Sequence, residues 1–381
     1  MTSERGGKHF GPALLLAGLV FFFCSWSTVA QTIRDLPPPP PAPTPKPTPT
    51  PAPPKDEDFD VIRVSSNLVM IPVSITDSNG QPVRGLQVGD FNVQEEGRPQ
   101  EIAQIGDPDE VPLSIALLID VSGSTNTRFD FEKEAAARFL KQVLKPADRA
   151  SFFIIDRTPV LGKTDATAEA AAQGLLSLRP ATDKGPTAFF DTVVEAAQYL
   201  GDKTPARYRK VILVISDGVD NFSERIKKAI GATRAEQDSV SAEIRQRVTN
   251  RAVGEVQREV QRADAVFYSI NPSGNTMYLN VITRRGQEGM QQIAEATGGT
   301  GFVPESDLDL DRVFARIAAE LRAQYLLQYY SNSQSAGAQF RRVAVKLPTH
   351  PELRLRARQG YYPKQIKDEG GRMKEEKKRS P

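Results

Sequence analysis

The chain has 381 residues, of which 39% are apolar and 25% are charged, as in soluble globular proteins with one large domain or two ordinary ones. Its formal net charge of +2 is too small to indicate a surface for nucleic acid. One cysteine and two histidines exclude zinc sites that need several such ligands, and they exclude most Cys–His and Ser–His–Asp catalytic systems.

The first thirty residues have the three parts of an export signal. Arg5 and Lys8 form a positive start, residues 12–24 are apolar, and residues 28–30 (Thr-Val-Ala) form a small-residue cleavage site. As a helix the apolar run is about 20 Å long, short of the roughly 30 Å core of a bilayer. We expect cleavage and export to the periplasm, the cell surface or the medium. An uncleaved segment that anchors the protein in the membrane is the alternative.

Two further segments have compositions that do not favour a packed core. Residues 31–57 contain a run rich in Pro, Thr, Ala and Lys, which favours polyproline II and predicts a semi-rigid linker. Residues 364–381 mix positive and negative charges with few apolar residues. We therefore predict a disordered tail at this end.

Two β segments flank the middle of the chain, at residues 58–108 and 323–363. In the first, apolar residues alternate at positions 69, 71, 73 and 75 before an Asn79-Gly80 turn, which predicts a strand with one buried face. The second alternates in the same way near positions 343–347 and 353–357. Neither segment alone has enough strands to bury two faces. We therefore predict that both form one β-sandwich, with a larger domain inserted between them.

Three arginines alternate with apolar residues along the last predicted strand, at Arg354, Arg356 and Arg358. A row of arginines can bind a polyanion. Since charged side chains are mostly exposed, we predict a solvated strand face instead.

The middle of the chain, residues 112–322, alternates strands with helices, which predicts a mainly parallel sheet covered on both faces. The first strand, at residues 115–121, is continuously apolar, as a strand buried on both faces must be. Later strands are predicted at residues 152–155, 211–216 and 265–270. Helices are predicted at residues 131–144, 166–178, 189–200, 288–297 and 308–321.

One long charged stretch, residues 223–262, follows the third of these strands and has apolar residues at helical spacings. Two interpretations remain for it. One is an extended solvated helix with a single packed stripe. The other is a projecting helix that binds a partner or pairs with a second copy of itself.

Oxygen-bearing side chains follow two of the buried strands and one loop. Asp120, Ser122 and Ser124 form an Asp-x-Ser-x-Ser pattern at the end of the first strand, Thr187 lies in a loop before a helix, and Asp217 ends a later strand. Ligand sites in open α/β sheets lie beyond the carboxyl ends of the strands. The alternative is that these are ordinary turn and helix-cap residues. Asp220 and Asn221, just beyond, are predicted to form a turn rather than a second cation contact.

This arrangement resembles the von Willebrand factor type A (VWA) family, over residues 112–322. The resemblance implies a doubly wound, Rossmann-like α/β fold with a metal ion-dependent adhesion site (MIDAS) formed by Asp120, Ser122, Ser124, Thr187 and Asp217. Such oxygen ligands suit a hard cation, Mg²⁺ first, with Mn²⁺ or Ca²⁺ as alternatives. In the family the serines bind the metal directly, and a partner's Glu or Asp carboxylate fills its open position.

The ends of the chain resemble a bacterial subgroup of VWA-related proteins known mainly from acidobacteria. Residues 320–325 (Glu-Leu-Arg-Ala-Gln-Tyr) and 358–362 (Arg-Gln-Gly-Tyr-Tyr) carry this resemblance, which extends over residues 60–363. No defined biochemical role comes with it.

We therefore expect an exported, non-enzymatic adhesion or scaffolding module that binds a protein partner through a metal. An envelope-assembly or maintenance subunit is the alternative, followed by a metal-dependent hydrolase. An aspartyl phosphatase needs a second Asp two residues after its nucleophile, but the residue two after Asp120 is Ser122. The sequence also contains no Gly-x-Ser-x-Gly or Walker A pattern.

Overall fold

The computed structural model describes residues 68–121, 126–180, 185–274, 281–333 and 339–363. The predicted export signal, Pro-rich linker and charged tail lie outside these ranges, as do Ser122 and Ser124. Within these ranges, no helix combines the length and the apolar character needed to cross a membrane.

Strands and helices follow one another in an order that separates two β regions from an alternating centre. The strands are β1 (Leu68–Thr76), β2 (Asn92–Glu95), β3 (Arg98–Gln100), β4 (Ile102–Gly106), β5 (Leu113–Asp120), β6 (Arg149–Ile155), β7 (Val160–Leu161), β8 (Arg209–Ile215), β9 (Ala265–Ile270), β10 (Gly301–Phe302), β11 (Tyr325–Tyr330), β12 (Arg341–Lys346), β13 (Arg354–Ala357) and β14 (Gly360–Tyr361). The helices are α1 (Asn126–Val143), α2 (Ala168–Leu176), α3 (Phe189–Lys203), α4 (Glu224–Ile230), α5 (Arg234–Ser239), α6 (Ala242–Arg262), α7 (Val281–Thr297) and α8 (Asp307–Ala323), with a 3₁₀ turn at Val88–Asp90.

The two β regions form a sandwich of two antiparallel sheets, with strand orders β13-β1-β11-β4 and β14-β12-β2-β3. The alternating face of β1 is buried, with Ile71 and Val73 fully inaccessible, and it packs in one cluster with Leu327 and Tyr329 of β11. Both neighbours of β1 in its sheet come from the far end of the chain. Each β region therefore depends on the other for its strand pairing.

The central domain is a sheet of order β10-β9-β8-β5-β6-β7, parallel except for the edge strand β7. Helices α1, α2 and α8 pack on one face, while α3, α6 and α7 pack on the other. Because β5 is covered on both faces, its apolar side chains are buried without alternation. The predicted fold class, a doubly wound α/β domain inserted into a β-sandwich, is confirmed.

Strand order places a switch point between β5 and β8. The chain passes from β5 to β6 on one side, and β8 and then β9 are added on the other side. Crevices that bind ligands in open α/β sheets lie at the carboxyl ends of the strands at such a point. Asp120 is the last residue of β5, and Asp217 lies two residues after the end of β8.

Several helices extend beyond their predicted bounds, and α7 begins seven residues before its predicted start at residue 288. Helix α1 begins at Asn126, five residues before the predicted start, and α3 continues to Lys203 rather than ending at residue 200. The turn added to α1 includes Phe129, which is fully buried in the core, whereas the residues added to α3, Gly201 to Lys203, are not apolar. Periodicity alone does not detect such turns.

The charged stretch at residues 223–262 contains three helices, so the prediction of one extended helix is wrong. Gly231 ends α4 with a φ of 97°, and Thr233 and Ser241 cap the starts of α5 and α6. Helix α6 is the crossover between the parallel strands β8 and β9. Its apolar stripe is buried against the sheet and its neighbouring helices, at Ala252, Val253, Val256 and Val260.

A buried arginine joins the two chain segments that link the sandwich to the central domain. The Arg209 guanidinium donates to the carbonyl oxygens of Pro108 and Leu321, both at 2.8 Å, and to Gln324 Oε1 at 3.0 Å. Pro108 precedes the central domain and Gln324 follows it. Burial lowers the pKa of Arg209 to about 10, which leaves the side chain charged at neutral pH.

Two of the three arginines, Arg356 of β13 and Arg358 directly after it, face the central domain. Their predicted solvent exposure is therefore wrong. Arg356 pairs with the buried Glu320 of α8, whose other oxygen accepts a 2.7 Å hydrogen bond from the Tyr268 hydroxyl. Arg358 pairs with Asp264 and donates to the carbonyl oxygen of Met70. The alternation correctly placed Arg356 and Arg358 on one face of the strand, but that face packs on the central domain. Arg354 is exposed, as predicted.

Candidate metal centre

Asp120 lies beside Ser216 at the carboxyl edge of the sheet. The register pairs Ile119 with Ile215, so the next residue of each chain segment comes to the same level. The Ser216 hydroxyl donates to Asp120 Oδ2 at 2.8 Å and accepts from the Gly218 N–H at 3.0 Å. Ser216 is buried, and it fixes the orientation of the Asp120 carboxylate.

Asp217 follows Ser216 and is only partly exposed. Its Oδ1 accepts from the Val219 N–H at 3.0 Å. Burial raises the pKa of Asp217 above its ordinary value, and the Val219 hydrogen bond opposes this shift to a smaller extent. A carboxylate that is unfavourably desolvated gains more from a nearby cation than an exposed one does.

Helix α7 packs directly on the backbone of Asp217 and Gly218. A Cβ placed on Gly286 would lie 2.5 Å from the Asp217 carbonyl oxygen, and one on Gly218, whose φ is 73°, would lie 2.8 Å from the Gly286 carbonyl oxygen. The two backbones can approach this closely only because both positions are glycine. The position of the loop after β8 is thus set by α7 as well as by the sheet.

Thr187 is buried and is held by the turn that follows Asp217. Its N–H donates to Asn221 Oδ1 at 2.7 Å, and its carbonyl oxygen accepts from the N–H groups of Asn221 and Phe222, both at 3.1 Å. These bonds join the loop before α3 to the loop after β8. The structure thereby connects the Thr187 and Asp217 segments, which are separated in sequence.

Asp220 organises this turn and caps α3. Its carboxylate accepts from the N–H of Phe190 at 2.7 Å, of Phe222 at 3.1 Å and of Ser223 at 3.0 Å, and also from the Ser223 hydroxyl. Burial raises the pKa of Asp220 to about 6, against the opposing effect of these donors. Its oxygens accept hydrogen bonds from the chain itself, which agrees with the predicted turn.

Three of the five predicted ligands lie in the described ranges, and their chain segments meet at one end of the sheet. Asp120 and Asp217 follow adjacent strands and are linked through Ser216, while Thr187 is linked to the same loop through Asn221. Among the described residues, no group of three or more His, Cys, Asp or Glu could hold a metal. A site here therefore depends on hydroxyl ligands as well as carboxylates, and such a set fits a hard cation.

Sequence reasoning missed the roles of two residues that position the predicted ligands. Ser216 orients Asp120, and Asn221 holds Thr187. Ser216 had a usable signal, because it directly precedes Asp217 at the end of a buried strand. Asn221 had none, since its partner lies 34 residues away in the sequence.

Comparison with known proteins gives weak similarities. No family model and no curated protein matches the sequence. Proximal thread matrix protein 1 from the mussel byssus, with a zinc-occupied MIDAS motif, is 14% identical over 58% of this chain and 48% of its own, with a TM-score of 0.39. The chain thus spans about half the length of that structure.

Two bacterial structures are similar to the same extent. PilB minor pilin from Streptococcus sanguinis is 14% identical over 56% of this chain and 62% of its own, with a TM-score of 0.43. The conserved hypothetical protein BatB from Bacteroides thetaiotaomicron is 14% identical over 54% of this chain and 97% of its own, with a TM-score of 0.35. Similarities at this level carry no conclusion about the function of this chain.

Proposed function

We propose that the central domain holds a divalent cation at the carboxyl ends of β5 and β8 and uses it to bind a carboxylate of a partner protein. One observation supports this most directly. Two carboxylates follow the strands at the switch point, where the Ser216 hydroxyl orients that of Asp120 and burial raises the pKa of Asp217. The ligands are those that the VWA resemblance implies, namely Asp120, Ser122, Ser124, Thr187 and Asp217, with Mg²⁺ as the favoured metal.

The charge of this ligand set suits a partner's acid. When bound, the cation supplies an electrophilic position that a carboxylate can fill. Two carboxylates at most neutralise a dication, and the three hydroxyls add no negative charge, so an incoming acid meets little repulsion. Ser216 and Asn221 keep the acid and threonine ligands in place before the partner arrives.

We propose an exported adhesion or scaffolding module without catalytic activity, similar to the acidobacterial VWA-related subgroup. The sequence of the first thirty residues supports export, and the ligand set supports binding rather than catalysis. An envelope-assembly subunit and a metal-dependent hydrolase remain the alternatives, and phosphatase and esterase assays with Mg²⁺ test the second.

The test of the metal site is calorimetric titration of the full chain with MgCl₂. Asp120→Asn keeps an oxygen for the Ser216 hydroxyl but removes the charge, so we expect at least a tenfold loss of affinity, or about 1.4 kcal/mol, with little change in melting temperature. Asp120→Ala should also cost about 1–3 kcal/mol of stability, because it leaves the buried Ser216 hydroxyl without its acceptor.

Asp156 provides a matched control, since it follows the neighbouring strand β6 at the same edge of the sheet and is not in the proposed ligand set. Asp156→Asn should bind Mg²⁺ as the wild type does. Equal Mg²⁺ affinities for the wild type and Asp120→Asn would refute the metal site and leave these residues as turn and cap residues.

A further inference from the structure

A cleft of about 630 Å³ opens beside the proposed cation site. Its lining includes Gly218 and Val219, which directly follow Asp217, and Pro186, which directly precedes Thr187. The remaining lining comes largely from helices α4, α5, α6 and α7. Pockets that enclose small ligands or side chains span about 300–1,000 Å³. The cleft is therefore large enough to receive a part of any ligand that reaches the cation.

Much of the lining is apolar. It includes Phe190 and Val219 near the cation site, Ile226 and Ile230 of α4, and Val253 of α6. Ile282 of α7 also lines the cleft, and it is 64% exposed. An apolar group bound here would cover this side chain and gain about 25 cal/mol for each Å² of apolar surface removed from water.

Among the lining residues that the structure describes, one positive charge of the cleft is available to a ligand. Arg245 donates to the carbonyl oxygen of Gln237 at 3.0 Å and lies 3.5 Å from the Asp238 carboxylate, so its charge is largely balanced. Arg285 of α7 is only partly exposed and forms no hydrogen bond or ion pair with any residue in the described ranges. The other acid of the lining, Asp220, already accepts four hydrogen bonds from the chain.

Helix α7 sets the distance between this charge and the cation site. Arg285 directly precedes Gly286, which packs on the Asp217 carbonyl oxygen. A guanidinium carried by this helix, with an apolar cleft beside it, is suited to a carboxylate that forms paired hydrogen bonds. The cation and Arg285 thus offer two separate positions for negative groups, with apolar surface beside them.

We infer that this cleft selects the partner, and that it binds an extended acidic segment in which the metal-binding Asp or Glu is followed closely by an apolar residue and a second acid. The inference rests on the proposed function. The first acid reaches the cation, the apolar side chain enters the cleft, and the second acid pairs with Arg285. The charge complementarity at Arg285 favours this peptide over a neutral apolar ligand, which would leave the guanidinium without a counter-ion.

The first experiment selects randomised phage-displayed peptides on the immobilised full chain in MgCl₂, with elution by chelator. We expect the eluted sequences to share an acid, an apolar residue and a second acid at fixed spacing. An enriched peptide is then synthesised with a fluorescent label, and its affinity is measured by fluorescence polarisation for the wild type and for variants.

Two variants alter the cleft without touching a proposed metal ligand, and each has a neighbour as its control. Arg285→Glu should weaken the peptide at least tenfold, whereas Arg284→Glu should not, because Arg284 is exposed and lies outside the lining. Thr249→Trp should fill the cleft and weaken the peptide at least tenfold. Asn250→Trp, one residue further along α6 and exposed, should bind as the wild type does.

The outcomes separate this inference from the proposed function. If Asp120→Asn retains peptide binding in the presence of chelator, the metal site is refuted. If binding requires Mg²⁺ and Asp120, but Arg285→Glu and Thr249→Trp bind as the wild type does and remain folded by thermal melts, the cleft inference is overturned. If removal of residues 364–381 strengthens peptide binding tenfold, the chain's own tail occupies the cleft, and the assignment to a partner segment is overturned.

Discussion

The carboxylate of Asp220 is enclosed by backbone donors from two elements, the start of α3 and the turn after β8. Hydrogen bonds from these N–H groups favour the ionised carboxylate, whereas burial favours the neutral form. Burial has the larger effect, and it raises the pKa of Asp220 to about 6. The folded protein therefore binds this proton more tightly than the unfolded chain, in which an aspartate has a pKa of about 3.9.

This difference predicts how stability depends on pH. As pH rises from about 4 to about 6, the unfolded chain releases the Asp220 proton first, so the contribution of this group to the free energy of unfolding falls and is lowest above pH 6. Asp220→Asn does not titrate. We expect the stability of the wild type relative to this variant to decrease across the window.

Urea unfolding at several pH values, in chelator to exclude metal binding, measures that difference. Because the other acids titrate in both proteins, subtraction isolates Asp220. A difference that stays constant between pH 4 and pH 7 would show that the pKa of Asp220 is the same in the folded and unfolded states.

The sequence indicates which residues could form a site better than it indicates what those residues contact. Asp120 and Asp217 could be singled out because each follows an apolar strand, and the ends of buried strands meet at one edge. The burial of Arg356 and Arg358 could not be predicted, since it results from contact with Glu320 and Asp264 on another domain. Local pattern identifies the face of a strand but not what covers that face.

Among the elements, helix α7 has the most direct effect on the proposed cation site. Gly286→Ala would place a methyl group 2.5 Å from the Asp217 carbonyl oxygen, so the helix or the loop must move. We expect a loss of about 1–3 kcal/mol in stability and a weaker Mg²⁺ affinity. Urea unfolding and calorimetric titration measure the two effects.

Gly254 of α6 is the matched control for this substitution. Its Cβ would meet only Arg258 Nη1, at 3.7 Å, so Gly254→Ala should stabilise the protein by about 0.5–1 kcal/mol through lower unfolded-state entropy. If both substitutions stabilise the protein and leave Mg²⁺ affinity unchanged, α7 does not position the Asp217 loop.

Strands and helices with a regular apolar pattern could be predicted from the sequence, whereas the points where one helix ends and the next begins could not. The alternation of β1 and the continuous apolar run of β5 predicted two strands correctly. In residues 223–262, two breaks between helices are marked by Gly231 and by the caps at Thr233 and Ser241. Capping residues are common in loops too, so they did not outweigh the periodic pattern.

The whole molecule depends on pairing between residues that are far apart in sequence. A chain that comprises residues 58–321 retains β1 but loses β11 and β13, its two partners in the sheet. The buried face at Ile71, Val73 and Ile75 would then be exposed. We expect this truncated chain to aggregate in size-exclusion chromatography, because an unpaired apolar strand recruits other chains.

Residues 58–363 serve as the control and should elute as a monomer with one cooperative melt. Residues 112–322 alone should stay soluble, because they contain the complete six-stranded sheet and its helices. Cooperative melting of monomeric residues 58–321 would mean that the N-terminal β region folds without its C-terminal partners.

The split sandwich was predictable because each β region has too few strands to close a core alone. Its sheet order was not, because alternation gives no information about which strand lies beside which. The role of Arg209 was equally hidden, since a lysine or arginine at the start of a strand is common. Only the folded chain shows that it holds both connections between the domains.

The central position of β5 has a mechanical consequence. This strand begins seven residues after the sandwich strand β4 ends, and Asp120 lies at its far end, about 23 Å away at 3.3 Å per residue. A partner that pulls on the cation therefore loads β5 along its own axis. Since β6 and β8 run parallel to it on both sides and pair along its length, the load falls in shear on two rows of hydrogen bonds at once. Tension between the ligand edge and the chain entering at Leu68 is thus borne by a strand that is hydrogen-bonded along its length on both sides.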